Sequence, residues 1–321
     1  MTHRYVSNLA PTGPATFFKA PLLSAPEDAA GKVAVLGVPY DLGVGYRPGA
    51  RFGPRAVREA STRLGPLGTD GFFHIESGRR RLAGVAVVDA GDVDVLRTQP
   101  EASLDAIEEA VARLAQAGAF PVIIGGDHSL TGPAVRGLAG RGPFSILQID
   151  AHLDFTDDVA GSGHTSSSPL RRAAEAGHVQ HIIQVGLRGL RAPEPAYRDA
   201  LALGNTLITR GELRRAAGWE KLEEALARTE RLYITVDMDA FDPSIAPGVS
   251  SPEPDGLDYR EVMDILTMAA GRADIVAFDV VETNPFLDPG GNTAYLAAAV
   301  ALELLALKFD PQPGRGRRQR E

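Results

Sequence analysis

The chain has 321 residues, 44% of them hydrophobic, a formal charge of −8, no cysteine and a pI near 5.5. An acidic surface makes nucleic acid and anionic membranes poor partners, and the missing cysteines exclude disulfides and thiolate metal sites. The length is ample for a sizeable core, and α/β folds of this size often form one domain.

Residues 1–30 are rich in Pro and Ala and read as an N-terminal arm, with Thr16-Phe17-Phe18 expected to dock on the body or on a neighbouring subunit. Pro11, Pro14 and Pro21 break this stretch, so it lacks the apolar core of a signal peptide. No run is expected to reach the length of a transmembrane helix. These features together predict a soluble cytoplasmic protein.

Apolar runs of strand length then alternate with helical spacing. The runs are Val33–Gly37, Val85–Asp89, Val122–Ile124, Phe144–Asp150, Ile182–Val185, Thr206–Ile208, Leu232–Asp237 and Ile275–Val281. Helical spacing is clearest at Ala102–Ala117, Trp219–Arg228, Tyr259–Ala270 and Thr293–Lys308. Mostly unalternating runs imply strands buried on both faces. The expected fold is therefore one three-layer α/β/α domain over residues 31–308, around an eight-stranded parallel sheet. Residues 309–321, basic from Arg315 to Arg320, read as a disordered tail.

After the first run, Tyr46 to Pro54 carries glycines that invite a phosphate-loop reading. The spacing is wrong for a dinucleotide loop and Pro48 interrupts it. A rigid loop at the mouth of a pocket fits better, with Arg51 and Arg55 as structural donors. Gly125-Gly126-Asp127-His128-Ser129 follows the third run. Its glycines let the chain turn closely, and His128 falls at the carboxyl edge of the sheet, where open α/β folds keep their sites. Alone, such a histidine is more often structural than a ligand. Asp127 is expected to orient a neighbour and Ser129 to cap the next helix.

Ile149-Asp150-Ala151-His152-Leu153-Asp154 leaves the fourth run with Asp150, His152 and Asp154 two residues apart, on one face of an extended chain. Hard oxygens with an imidazole suit a divalent ion such as manganese, whereas a solvated Asp-rich turn is the bland alternative. Asp237 and Asp239 repeat the spacing at the end of another strand. Burying like charges side by side is costly unless cations neutralise them. With His128, the three strand ends offer four carboxylates and two imidazoles, the formal complement of two divalent ions.

The set Gly-Gly-Asp-His-Ser, Asp-Ala-His-Leu-Asp and Asp-Met-Asp-Ala-Phe-Asp-Pro resembles the ureohydrolase family of arginases and agmatinases, over roughly residues 33–308. The stretches Arg47–Arg55, Gly186–Gly189 and Ala246–Gly256 resemble its agmatinase branch. The resemblance implies two Mn2+ ions, one held by His128, Asp150, Asp154 and Asp237, the other by Asp150, His152, Asp237 and Asp239. Ions about 3.5–4 Å apart can share a water and lower its pKa. The hydroxide so formed would attack a guanidinium carbon, and an amine would leave with urea as co-product. Asp154 would pass the proton to the leaving nitrogen, and Glu282 matches the family's guanidinium-binding glutamate.

One stretch departs from the family. Ser166-Ser167-Ser168-Pro169-Leu170-Arg171-Arg172 stands where many agmatinases carry His-Gly-Thr-Pro-Phe-Arg-Arg, so the family's histidine falls on Ser166. His164 either takes over its proton-transfer role or is an exposed loop residue, and Ser166 and Ser167 are expected to shape substrate recognition. The remaining candidates, His3, His74, His178 and His181, have no supporting context. Agmatine, giving putrescine and urea, is the first expected substrate, with Asp157 or Asp158 facing its ammonium. A guanidino acid such as guanidinobutyrate or guanidinopropionate would instead need Arg188 or Arg191. A catalytically silent binding subunit is a third reading, against which the intact ligand set argues. The family also implies a homotrimer or homohexamer, with the Phe17–Phe18 arm as a subunit contact.

Overall fold

The computed structural model describes residues 9–310; His3 and the basic tail from Arg315 to Arg320 lie outside them, whereas Phe309 and Asp310, expected in a disordered tail, are ordered, Phe309 closing the last helix and Asp310 pairing with Arg81. The strands are β1 (Val33–Val38), β2 (Phe72–His74), β3 (Arg79–Arg81), β4 (Val87–Asp92), β5 (Phe120–Gly125), β6 (Phe144–Ile149), β7 (Val179–Leu187), β8 (Thr206–Thr209), β9 (Arg231–Asp237) and β10 (Asp274–Val281). The helices are α1 (Gly53–Ser61), α2 (Pro100–Gln116), α3 (Thr131–Gly137), α4 (Pro169–Ala174), α5 (Glu194–Ala202), α6 (Arg210–Leu213), α7 (Ala216–Ala227), α8 (Tyr259–Arg272) and α9 (Asn292–Phe309).

Eight strands form one sheet in the order β4-β1-β5-β10-β9-β6-β7-β8, and every pairing in it is parallel. Alternate residues of each strand serve opposite faces. Val33, Val35, Leu147, Ile149, Ile234 and Val236 pack beneath α1, α7, α8 and α9. Ala34, Leu36, Phe144, Ile146 and Tyr233 pack beneath α2, α3, α4 and α5. A parallel sheet covered on both faces buries apolar side chains at every position, which is why the runs did not alternate. Helix starts are written locally: Asp258 accepts from the N–H of Glu261 while the Glu261 side chain accepts from the N–H of Asp258, a capping box that opens α8.

Three features add to, correct or narrow the expectations. The antiparallel hairpin β2–β3 was not anticipated, because Phe72-Phe73-His74 and Arg79-Arg80-Arg81 carry no apolar run. Arg81 nevertheless is buried, with Glu303 at 3.6 Å and Asp310 at 3.5 Å. Helix α9 is long and apolar enough to cross a membrane by length and composition. It is mostly buried in the body, and apolarity around the whole circumference is what such a core helix needs. Phe17 and Phe18 are buried in their own chain: the N–H of Phe17 donates to Asp89 Oδ2 at 2.8 Å and that of Phe18 to Ser61 Oγ at 2.9 Å. They dock on the body and lend no support to a subunit contact.

Candidate metal centre

Five neighbouring strands, β5-β10-β9-β6-β7, end at one edge of the sheet and deliver His128, Glu282, Asp237, Asp150 and Arg188 in that order. The three metal-motif strands β5, β6 and β9 are not all neighbours. Strand β10 separates β5 from β9, and so sets Glu282 beside them. The turn after β5 needs glycine: a Cβ on Gly126 would come within 1.9 Å of the Tyr40 carbonyl oxygen. Asp127, rather than Ser129, is the cap. Its carboxylate accepts from the N–H and hydroxyl of Ser129 and from the N–H of Gly43, which anchors the loop ahead of Tyr46.

The His128 ring is fully buried. Its Nδ1 lies 3.1 Å from Asp150 Oδ2, 2.9 Å from Asp154 Oδ2 and 3.1 Å from Asp237 Oδ2, without an aligned hydrogen-bond partner. Its Nε2 lies 2.9 Å from Thr235 Oγ1, which fixes the ring. One imidazole nitrogen cannot satisfy three carboxylates, and three like charges around one point repel. A cation at that point reconciles them. A second convergence adjoins it: His152 Nδ1 is 3.0 Å from Asp239 Oδ2 and 3.6 Å from Asp150 Oδ1. Among the described residues the chain therefore offers two metal-capable groups, His128–Asp150–Asp154–Asp237 and Asp150–His152–Asp239. Asp150 belongs to both groups. Asp237 belongs to the first, and its Oδ1 accepts the N–H of Asp239 at 2.7 Å, which ties it to the second.

Electrostatics agree with a missing positive charge. Burial, then Asp150, pushes the Asp154 carboxyl up to about 7. Burial, then Asp239, pushes Asp237 well above the usual carboxylate range. Burial works against an ionised Asp150 as well, but the His128 and His152 rings hold it below that range. Burial, then Asp127, also raises Glu282. Glu282 Oε1 accepts the N–H of His128 at 2.9 Å, whereas Oε2 is buried with no partner. Asp154 and Glu282 both take positive φ, 49° and 66°, a conformation that costs energy in non-glycine residues and clusters at functional sites.

A cavity of about 980 Å³ opens onto this edge, lined by His152, Asp154, Asp237, Asp239 and Glu282, with Tyr46, Ser166, Ser167, Arg188, Arg191 and Glu253 among its walls. Ser166 and Ser167 line this cavity. His164 and Asp157 are not part of the lining. Burial, then Arg136 and Arg172, lowers the pKa of His164. Asp157 is ion-paired with Arg172, and Asp158 accepts the N–H of Gly161 at 2.8 Å. Arg188 lines the cavity but spends its donors on main-chain carbonyls. Arg51 pairs with Asp41, as the donor role required, whereas Arg55 is exposed.

The sequence reading missed a buried amide chain. Asn205 donates to Gln184 Oε1 at 3.2 Å, Gln184 to Gln148 Oε1 at 2.6 Å and Gln148 to Asp150 Oδ2 at 2.5 Å. Glutamines inside two apolar strands were the available signal.

The model of the Arginase family matches residues 31–306. This chain belongs to the arginase family. It is 33% identical over 310 residues to the human mitochondrial guanidino acid hydrolase, covering 92% of this chain and 83% of that protein. It is 31% identical over 308 residues to the mitochondrial agmatinase of Gallus gallus, covering 92% and 86%. The structure of proclavaminate amidino hydrolase from Streptomyces clavuligerus superposes with a TM-score of 0.83 at 32% identity, covering 93% of this chain and 98% of that one. The family is one of binuclear manganese enzymes that hydrolyse guanidino C–N bonds, and both groups of ligands described above fit that chemistry.

Proposed function

We propose that this chain is an amidinohydrolase that releases urea from a guanidino compound carrying a carboxylate at its far end. Arg191 carries the reading. It is exposed, lines the same cavity as Glu282, and has no hydrogen bond or ion pair among the described residues. Asp157 and Asp158, the acids on which the agmatine expectation relied, turn away from the cavity.

Two manganese ions would be held by His128, Asp150, Asp154 and Asp237 and by Asp150, His152 and Asp239. When bound, such ions supply Lewis acidity and lower the pKa of water. Glu282, with its unpartnered Oε2, would grip the planar guanidinium, a geometry that favours charge-assisted pairing. Asp154 lines the same cavity and would carry the proton to the departing nitrogen. Arg191 would hold the carboxylate end, and Ser166 and Ser167 would line the path between. The resulting bond change is hydrolysis of the C–N bond to urea and the amine.

A second reading, agmatine hydrolysis, draws on the agmatinase relative and on Glu253 in the cavity wall. Urea release from 4-guanidinobutyrate and agmatine, measured side by side after manganese loading, separates them. The acid is expected to be preferred. Arg191→Ala should cost the acid roughly 10–100-fold in kcat/KM, the worth of one hydrogen bond to a charged group, and leave agmatine unchanged. Preference for agmatine together with no effect of Arg191→Ala would reject the proposal.

A further inference from the structure

Arg188 follows β7 and ties together every segment around the second metal-capable group. Its own N–H donates to the carbonyl of Ala151 at 2.9 Å, the residue between Asp150 and His152. Its guanidinium donates to the carbonyls of Asp239 at 2.7 Å, Ala240 at 3.2 Å, Glu253 at 3.1 Å and Pro254 at 3.0 Å. The next residue packs closely on the ring: a Cβ on Gly189 would lie 3.0 Å from His152 Cδ2. One residue thus fixes the main chain at Ala151, at Asp239 and at Glu253.

Those anchored points carry the side chains that surround one ring. His152 Nδ1 faces Asp239 Oδ2 at 3.0 Å, and His152 Nε2 faces Glu253 Oε1 at 3.6 Å. A histidine ligand is commonly oriented by a carboxylate on its other nitrogen. Glu253 stands in that place, and Arg188 holds the Glu253 carbonyl.

We infer that Arg188 is a positioning residue for the second metal position, acting through Asp239 and the Glu253–His152 pair rather than on the substrate. The inference rests on the two-ion reading above. Its donors are already engaged, so it has none free for a substrate carboxylate. The planar fork matters as much as the charge. Lysine has three donors on one atom and no side-arm N–H, so it cannot reach carbonyls arrayed on two separate loops. The first group shares Asp150 with the second, but its other members, His128, Asp154 and Asp237, receive no hydrogen bond from Arg188 among the described residues, so the effect falls chiefly on the second position.

The test is metal binding without turnover: equilibrium dialysis of the full chain against graded free Mn2+, with bound metal read by atomic absorption. The wild type is expected to take up two ions per chain. Arg188→Lys should hold the first ion normally and the second about 10–100-fold more weakly, the usual cost of losing a ligand's supporting contact. Unchanged binding of both ions, or equal weakening of both, would overturn the inference while leaving the two-ion reading intact. A wild type that holds fewer than two ions overturns both. If Arg188→Lys does not fold by circular dichroism, Glu253→Gln decides. Selective weakening of the second ion supports the inference, and unaltered binding of both rejects it.

Discussion

Replacing Glu282 with Gln should make the metal-free protein more stable and the loaded protein nearly inactive. Glu282 is buried, accepts one hydrogen bond through Oε1 and leaves Oε2 unpartnered. Burial, then Asp127, raises its carboxyl well above the usual value. The unfolded chain ionises Glu near pH ~4.3. Between that pH and the raised folded value, the folded state holds a proton that the unfolded state has released. Stability therefore falls as pH rises through this window. Gln has no such titration, so the variant's advantage should grow with pH, by ~1.36 kcal/mol per pH unit until the folded pKa is reached. At about 2.1 cal/mol/K per residue, 321 residues give an unfolding entropy of ~0.7 kcal/mol/K, so each pH unit is worth about 2 °C in Tm. Any fixed cost of seating the amide cancels in the comparison across pH. Calorimetry of both chelator-treated proteins at pH 5, 6, 7 and 8 measures the gap. Loss of the guanidinium partner should lower kcat/KM by roughly 30- to 5,000-fold, the range for breaking a buried charge pair. A Tm gap that stays constant or shrinks with pH refutes the burial argument, and activity within threefold of wild type refutes the guanidinium role.

Asp150→Asn should leave fewer than one Mn2+ per chain and abolish turnover, because Asp150 belongs to both ligand groups; Asp239→Asn should cost one ion only, and dialysis with metal analysis distinguishes the two outcomes. His164→Ala should change kcat by less than about twofold, under 0.4 kcal/mol, since His164 is not part of the cavity lining; a loss of roughly 10²-fold or more with both ions retained would restore it as a general acid–base group.

Most of the metal centre was legible in the sequence for a local reason. Spacing of two puts side chains on one face of an extended chain, so Asp150, His152 and Asp154, and again Asp237 and Asp239, announce a shared direction before any fold is known. The eight sheet strands were legible too, because parallel strands covered on both faces must be apolar along their length. The sequence could not order those strands. Insertion of β10 between β5 and β9, which brings Glu282 against the N–H of His128, depends on long-range pairing. Nor could composition tell which charges are free. Arg188 and Arg191 stand three residues apart in one loop, yet the first is engaged by carbonyls from two other loops and the second has no hydrogen bond or ion pair among the described residues. Asp157 looked like a substrate group until Arg172 was found across from it. Residue type and spacing determine what a segment can do chemically. Which of its groups face the cavity is decided by partners distant in sequence, since a side chain's hydrogen bonds and ion pairs are set by whatever tertiary packing brings to it.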